Sequence, residues 1–254
     1  EIEQLEASYS RNLAKEDKQE LQKRLQAETP QRMVKVSVFY ASKYEVTQAQ
    51  WRAVASLPKV NRELMSDPSQ FKGGNRPVEQ VSWEDAVEFC ERLSRATGRH
   101  YRLPTEAEWE CSARGGLDGR RFPWNGSVSI SHSDANYYST ASYVYGKSPR
   151  GYHPLYSSGD RPYTSPAGAF SSNPYGIFDM AGNVPEWCWD WYDAYYYAES
   201  PLTDARGPST GNLKSCRGGS WYNQVFLSRL SARLFYRPSN RTNIIGFRIV
   251  RKAE

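Results

Sequence analysis

The soft-metal ligands of this 254-residue chain are four cysteines, Cys90, Cys111, Cys188 and Cys216, and three histidines, His100, His132 and His153. The cysteines form no CxxC pair and no zinc-like spacing, and no two histidines stand at helical ligand spacing. Cys90 lies in EDAVEFCERLS, a helical pattern in which a buried free thiol is expected. Four cysteines also allow two disulfides, so cysteine usage leaves the compartment open. Hard donors are more concentrated: Asp179, Asn183, Glu186 and Asp190 all fall within YGIFDMAGNVPEWCWDWYD, among closely spaced aromatics.

A second concentration closes the chain. Residues 216–221 read CRGGSW and residues 244–250 read IIGFRIV. Between them, YNQVFLSRLSARLFYRPSNRTN sets Tyr222, Phe226, Leu227, Leu234, Phe235 and Tyr236 among arginines spaced too irregularly for one amphipathic helix. Strand ends that bracket an irregular, aromatic-rich segment predict an exposed recognition surface, because aromatic and Arg side chains give large contact area at low entropy cost. Several of Arg217, Arg229, Arg233, Arg237, Arg241, Arg248 and Arg251 are expected to pair with carboxylates such as Glu186 and Asp190 in a polar core.

The elements that must position these residues are short. Charged residues make up 24% and aromatics 14%, with eight Trp and eighteen Tyr, a balance that favours short strands and packed loops over a helical bundle. The net charge of +5 is spread rather than gathered into a run, so nucleic acid is not an expected partner. No apolar run reaches the length of a membrane span. Residues 3–26, with Leu5, Leu13, Leu21 and Leu25 as a thin stripe, predict a solvated stalk or linker helix, and residues 1–32 are set apart from a domain over 33–254. Strands are expected around Val34, Val36, Val38 and around Tyr44 and Val46, and a short helix over 47–55. Ser82 and Asp85 have capping-box spacing for a helix that stops at Gly98, and Thr105 and Glu108 repeat it for one ending at Gly115. Residues 116–174 show almost no period and predict packed functional loops. Trp187, Trp189 and Trp191 alternate as in a strand with one buried face.

The motifs NRPVEQVSWEDAVEFCERLSRATGRHYRLPTEAEWECSARGG, FPWNG, YGIFDMAGNVPEWCWDWYD, RGGSW and GFRIV, in that order, resemble the formylglycine-generating enzyme family of sulfatase-modifying factors. The resemblance covers about residues 34–251. It implies an α+β version of the C-type lectin fold: a small twisted antiparallel sheet, two main helices and abundant loops. The family's enzymes bind copper through paired cysteines just after GGSW; counted from Trp221, those positions hold Asn223 and Ser228, neither of which supplies a thiolate. Related iron-dependent sulfoxide synthases need a histidine cluster that three scattered histidines do not make. DMAGNVPE matches the family's calcium loop, which implies a structural ion held by the Asp179 and Glu186 side chains and the Gly182 and Val184 carbonyls, with Pro185 standing where the family usually has Trp.

The terminal segment also resembles the variable region of proteins diversified by retroelements, including treponemal examples, on the same scaffold. The resemblance implies that residues 216–254 contain a variable region, with Arg217, Gly218, Gly219, Arg229, Arg233 and Arg248 among its framework. Its ligand-contacting slots are Tyr222, Asn223, Phe226, Leu227, Leu234, Phe235, Tyr236, Thr242, Asn243 and Ile244. Gln224 cannot arise from an asparagine codon by changing adenines alone and reads as a candidate fixed position. The resulting expectation is a non-enzymatic, monomeric binding protein for a macromolecular ligand, a protein, with no catalytic residues and no required cofactor. The resemblance places it outside the cell, at the surface, as a lipoprotein anchored upstream. The alternative reading is a formylglycine-generating or related metal-dependent oxidoreductase with a relocated site, and a third is an accessory domain without a ligand.

Overall fold

The computed structural model describes residues 15–124, 128–140, 145–159 and 161–253. The chain begins with helix α1, Lys15–Gln26, followed by strand β1, Phe39–Ala41. Helix α2, Gln48–Ala55, starts where Thr47 and Gln50 form a reciprocal capping box. Helix α3, Trp83–Thr97, is opened by the Ser82–Asp85 capping box and closed by Gly98 at φ +68°. Strand β2, Tyr101–Arg102, leads to α4, Glu106–Arg114, capped by Thr105 and Glu108 and ended by Gly115. These caps satisfy the amides that a helix start leaves unpaired.

Among its described residues the predicted loop stretch contains only one short 3-10 turn, Pro154–Tyr156, and the paired two-residue strands β3, Ser157–Ser158, and β4, Arg161–Pro162. Strand β5, Glu186–Trp191, follows, then the one-turn helix α5, Tyr196–Glu199, and β6, Lys214–Arg217. A 3-10 turn over Val225–Ser228, β7, Leu234–Tyr236, and β8, Val250–Lys252, complete the chain. Two antiparallel three-stranded sheets result, ordered β1-β8-β2 and β5-β6-β7, where one small sheet was expected. A parallel bridge from Glu186 to Gly246 links the β5 region to the segment before β8. Gly246 is required there by close approach: a Cβ would come 2.8 Å from the Val78 carbonyl oxygen and 2.9 Å from Val184 Cγ2.

The main core gathers Trp51, Phe89, Leu103, Trp187, Cys216, Leu234 and Phe247, with Trp51 stacked on Phe89 at 5.5 Å. Burial of such aromatics is the dominant favourable term in the fold. The expected strand around Val34–Val38 reduces to one bridge, Lys35 to Thr203, and Val38 is exposed. Alternation along β5 is incomplete. Trp187 faces the core and Trp189 and Trp191 are half-buried, but Cys188 and Asp190 are buried as well. Trp191 and Trp83 instead enclose the Lys214 ammonium, 3.7 and 3.9 Å from their ring centres, and burial lowers the pKa of that amine to about 8.

The N-terminal helix is not a solvated stalk where it is described; Leu5 and Leu13 lie outside the described residues. Leu21 and Leu25 are buried among Phe122, Ile130, Tyr137, Val225 and Phe226. Glu28, just beyond α1, accepts two hydrogen bonds from Arg229, at 2.9 and 2.6 Å, and the Ala27 carbonyl accepts one from Arg233. A thin leucine stripe suffices because these charge-assisted bonds complete the docking.

Candidate functional site

Four framework arginines are fully buried, and each is paired. Arg248 makes two bonds to Glu186, at 2.5 and 2.6 Å, and Arg229 takes Glu28. Arg217 and Arg233 converge on Glu106, with Arg217 Nη1 at 2.9 Å and Arg233 Nε at 2.8 Å from Oε1. Burial alone would raise the Glu106 pKa, but Arg233 and Arg217 beside it overcome that and hold it at about 2. The expected pairing of Asp190 with an arginine is not found. Its carboxylate accepts the Glu106 backbone N–H at 2.8 Å, and burial and the nearby Glu106 charge push it up to about 8. The arginines therefore form a rigid frame under the terminal segment.

On this frame the chain folds back at Gly219, whose φ is +73° and where a Cβ would come 2.6 Å from Ser228 Oγ. The turn places Tyr222, Asn223 and Gln224 at a cleft of about 400 Å³ that Tyr138, Tyr152, Phe226 and Leu227 complete. The Tyr138 N–H donates to the Asn223 carbonyl at 3.0 Å, and the Tyr138 and Tyr152 rings are 4.7 Å apart. Trp221 stands between walls, 5.7 Å from the Tyr222 ring and 6.3 Å from Tyr152. Its indole N–H donates to the Asn243 carbonyl at 3.2 Å, and the Asn243 amide bonds Gln70. Tyr222, Asn223, Leu227 and Asn243 are thus brought together around Trp221 and the cleft.

Of the other expected contact residues, Phe226 lines the cleft and the remaining five do not. Phe226 is only 5% exposed and serves as cleft floor and as core for α1, rather than as a projecting side chain. Leu234 is 3% exposed because β7 pairs with β6 and turns it into the main core. Phe235 leans on Tyr192 at 4.4 Å and lies beneath Arg24 of α1, while Tyr236 meets Trp187 edge to face. Thr242 and Ile244 are half-buried, Ile244 against the main core. The expectation of one exposed patch is corrected accordingly: Tyr222 is exposed, Asn223, Phe226 and Leu227 line the cleft with it, Leu234 is core, and Phe235, Tyr236, Thr242, Asn243 and Ile244 are half-buried outside the cleft. Tyr138 and Tyr152 were missed as individual residues, because nothing local distinguishes them within the aperiodic stretch that holds them.

At the positions matching the enzymes' cysteine pair, Asn223 accepts a hydrogen bond from Ser220 Oγ at 2.9 Å, and Ser228 is fully buried with no partner for its hydroxyl among the described residues. No cysteine lines the cleft. All four thiols are free; Cys188 and Cys216 are buried and burial pushes both well above the ordinary thiol range, so they remain protonated at neutral pH.

The expected calcium loop is partly committed to other contacts. Glu186 holds Arg248 and also accepts the Trp109 indole N–H at 2.6 Å, and among the described residues no three acidic, His or Cys side chains are grouped as a metal site. Yet Asp179 Oδ1 and Glu45 Oε2 are buried without a hydrogen-bond partner. Burial raises both carboxyls, Asp179 to about 6 and Glu45 well above its ordinary value; the Glu186 charge adds to both and the Asp179 charge adds to Glu45. Asp179 Oδ1 and Glu45 Oε2 are thus two unpartnered hard oxygens, and a divalent cation there would draw its remaining donors from carbonyls such as those of Gly182 and Val184 rather than from Glu186.

Comparison with known proteins places the chain. Residues 9–253 match the model of the sulfatase-modifying factor enzyme 1-like domain. The formylglycine-generating enzyme of Thermomonospora curvata is 39% identical over 191 residues, 68% of this chain and 55% of the enzyme. The chain spans about half the length of the bacterial formylglycine-generating enzymes it matches. Treponema denticola variable protein 1 superposes with a TM-score of 0.68 at 26% identity, covering 87% of this chain and 86% of that one. PvdO from Pseudomonas aeruginosa superposes with a TM-score of 0.67 at 30% identity, covering 85% and 80%. With its mixed α+β architecture, the chain belongs to the sulfatase-modifying factor family, in the C-type lectin version of the fold.

Proposed function

We propose that this chain is a non-enzymatic, receptor-like variable protein whose cleft binds a macromolecular ligand, a protein, and whose terminal segment is diversified by a retroelement. The observation that carries this reading is the cleft itself: tyrosines and carboxamides line it and no thiol reaches it, while Asn223 and Ser228 stand where the resemblance to the enzymes expects paired cysteines. A tyrosine-rich surface on a rigid frame suits protein recognition, since Tyr offers large amphipathic area with few rotatable bonds. Its setting in this reading is the cell surface, as a lipoprotein.

The test is to reconstitute the protein with copper and offer a CxPxR peptide. Sub-stoichiometric copper and no aldehyde product are expected; stoichiometric copper with turnover would establish the oxidoreductase reading in its place.

The same reading includes a structural calcium at Asp179, pinning the loop rather than acting in chemistry. A ligand bound only by the folded state stabilises by mass action, so calcium should raise the Tm and chelation lower it by about 2–4 °C per kcal/mol of linkage. Asp179→Ala should abolish the difference. An unchanged Tm with and without chelator in the unmodified protein would remove the ion from the account.

A further inference from the structure

His153 precedes the 3-10 turn Pro154–Tyr156 and is almost fully buried. Both of its ring nitrogens are committed. Nδ1 faces the Leu155 backbone N–H at 3.1 Å, and an amide can only donate, so Nδ1 must be the unprotonated acceptor. Nε2 faces the His132 carbonyl oxygen at 2.6 Å, which can only accept, so Nε2 carries the proton. The two contacts together specify one neutral tautomer. A second proton can enter only at Nδ1, where it removes the cap of the turn and sets one N–H against another.

The residue beside it is Tyr152, a wall of the cleft, packed on Tyr138 and Trp221. From this juxtaposition we infer that the cleft is acid-gated: protonation of His153 releases the turn over Pro154–Tyr156 and with it the Tyr152 wall. The inference rests on the binding reading only for its consequence, ligand release in acid; the loop response belongs to the free protein.

The groups facing His153 favour this device. Across it lies His132, ring centres 5.1 Å apart, whose own Nε2–H donates to the Tyr137 carbonyl and keeps that bond when the ring is protonated. Tyr156 is 4.6 Å away and Phe170 5.6 Å. Among the described residues no carboxylate pairs with the imidazole. Burial lowers the His153 pKa below the ordinary histidine range, and burial and His153 lower that of His132. A folded-state pKa below the unfolded value means that the stabilisation is present above the unfolded pKa, about 6.5, and is lost as pH falls through the folded pKa.

Hydrogen exchange on the free protein tests this, with rates corrected for intrinsic pH dependence by the unfolded chain. The Leu155 amide, which bonds His153, and the Gly151 amide, which bonds the Ser139 carbonyl, are the reporters. Between pH 7 and pH 5 their protection should fall at least fivefold while α3 is unchanged. His153→Asn retains an oxygen that can cap Leu155 and does not titrate, so only the smaller His132 dependence remains and its protection should fall by less than about twofold. Unchanged protection in the unmodified protein, or an equal fall in His153→Asn, overturns the gate. Because no ligand is used, failure of the binding reading would show separately, as turnover in the copper experiment, and would leave this result standing.

Discussion

Glu106→Gln is expected to lower the Tm by on the order of 10 °C, more than a change at any exposed cleft residue. Glu106 accepts from Arg217, Arg233 and Ser215 and is buried with them. A neutral amide of the same shape leaves two guanidinium groups buried, with Glu110 as the remaining full charge partner of Arg217 and none for Arg233 among the described residues. Breaking a buried pair from one side costs about 3–5 kcal/mol, and each kcal/mol moves the Tm of a chain this size by about 2–4 °C. Arg233→Ala should fall in the same range, whereas Tyr222→Ser, at a 57% exposed position, should change the Tm by no more than about a degree. Since the folded state holds the Glu106 pKa at about 2, below its unfolded value, its stabilisation is present above the unfolded pKa and lost as pH falls towards 2. Thermal melts of the three variants at pH 7 check the ranking; equal effects would contradict the division into frame and cleft.

The second large effect is expected at the N-terminal helix. Leu25 is 2% exposed beside Phe226, and Leu→Ala at a fully buried site costs about 2–5 kcal/mol. A terminal helix has an escape, however: it can undock while the domain stays folded, so the loss is limited to its docking free energy. In Leu25→Ala, amides of α1 should lose hydrogen-exchange protection and those around Val225–Ser228 should follow, because Arg229 loses its carboxylate partner Glu28 when α1 departs. Protection in α3 should be unaffected. If α1 loses protection and residues 225–229 do not, the helix is no buttress of the terminal segment.

The helices were legible because their ends are encoded locally. Ser82 with Asp85, Thr105 with Glu108, and Gly98 and Gly115 specify caps within a few residues, and the structure places them there. The pairing of framework arginines was legible in kind but not in partner. Glu106 and Glu28 lie far from Arg233 and Arg229 in sequence, and a bidentate pair leaves no periodic trace. The docking of α1 was hidden for the same reason: its partners Phe122, Tyr137 and Phe226 come from three separate segments. The resemblance to a variable region points Phe226 and Leu234 outward, but a 3-10 turn and a paired strand turn these two side chains into the core. The cleft was half legible. Tyr222 and Asn223 follow GGSW, while Tyr138 and Tyr152 reach the same place through loops whose path depends on tertiary contacts.

The central claim, that the terminal segment is a diversified binding surface, is tested most directly by deep sequencing of the codons for residues 216–254 in a population descended from one source cell. Adenine-restricted substitutions are expected to concentrate at Tyr222, Asn223, Leu227 and Asn243. Few are expected at buried Phe226 and Leu234, and none at Arg217, Gly219, Arg233 and Arg248, where the frame would fail. Substitutions absent, or spread evenly over frame and cleft positions, would contradict the claim.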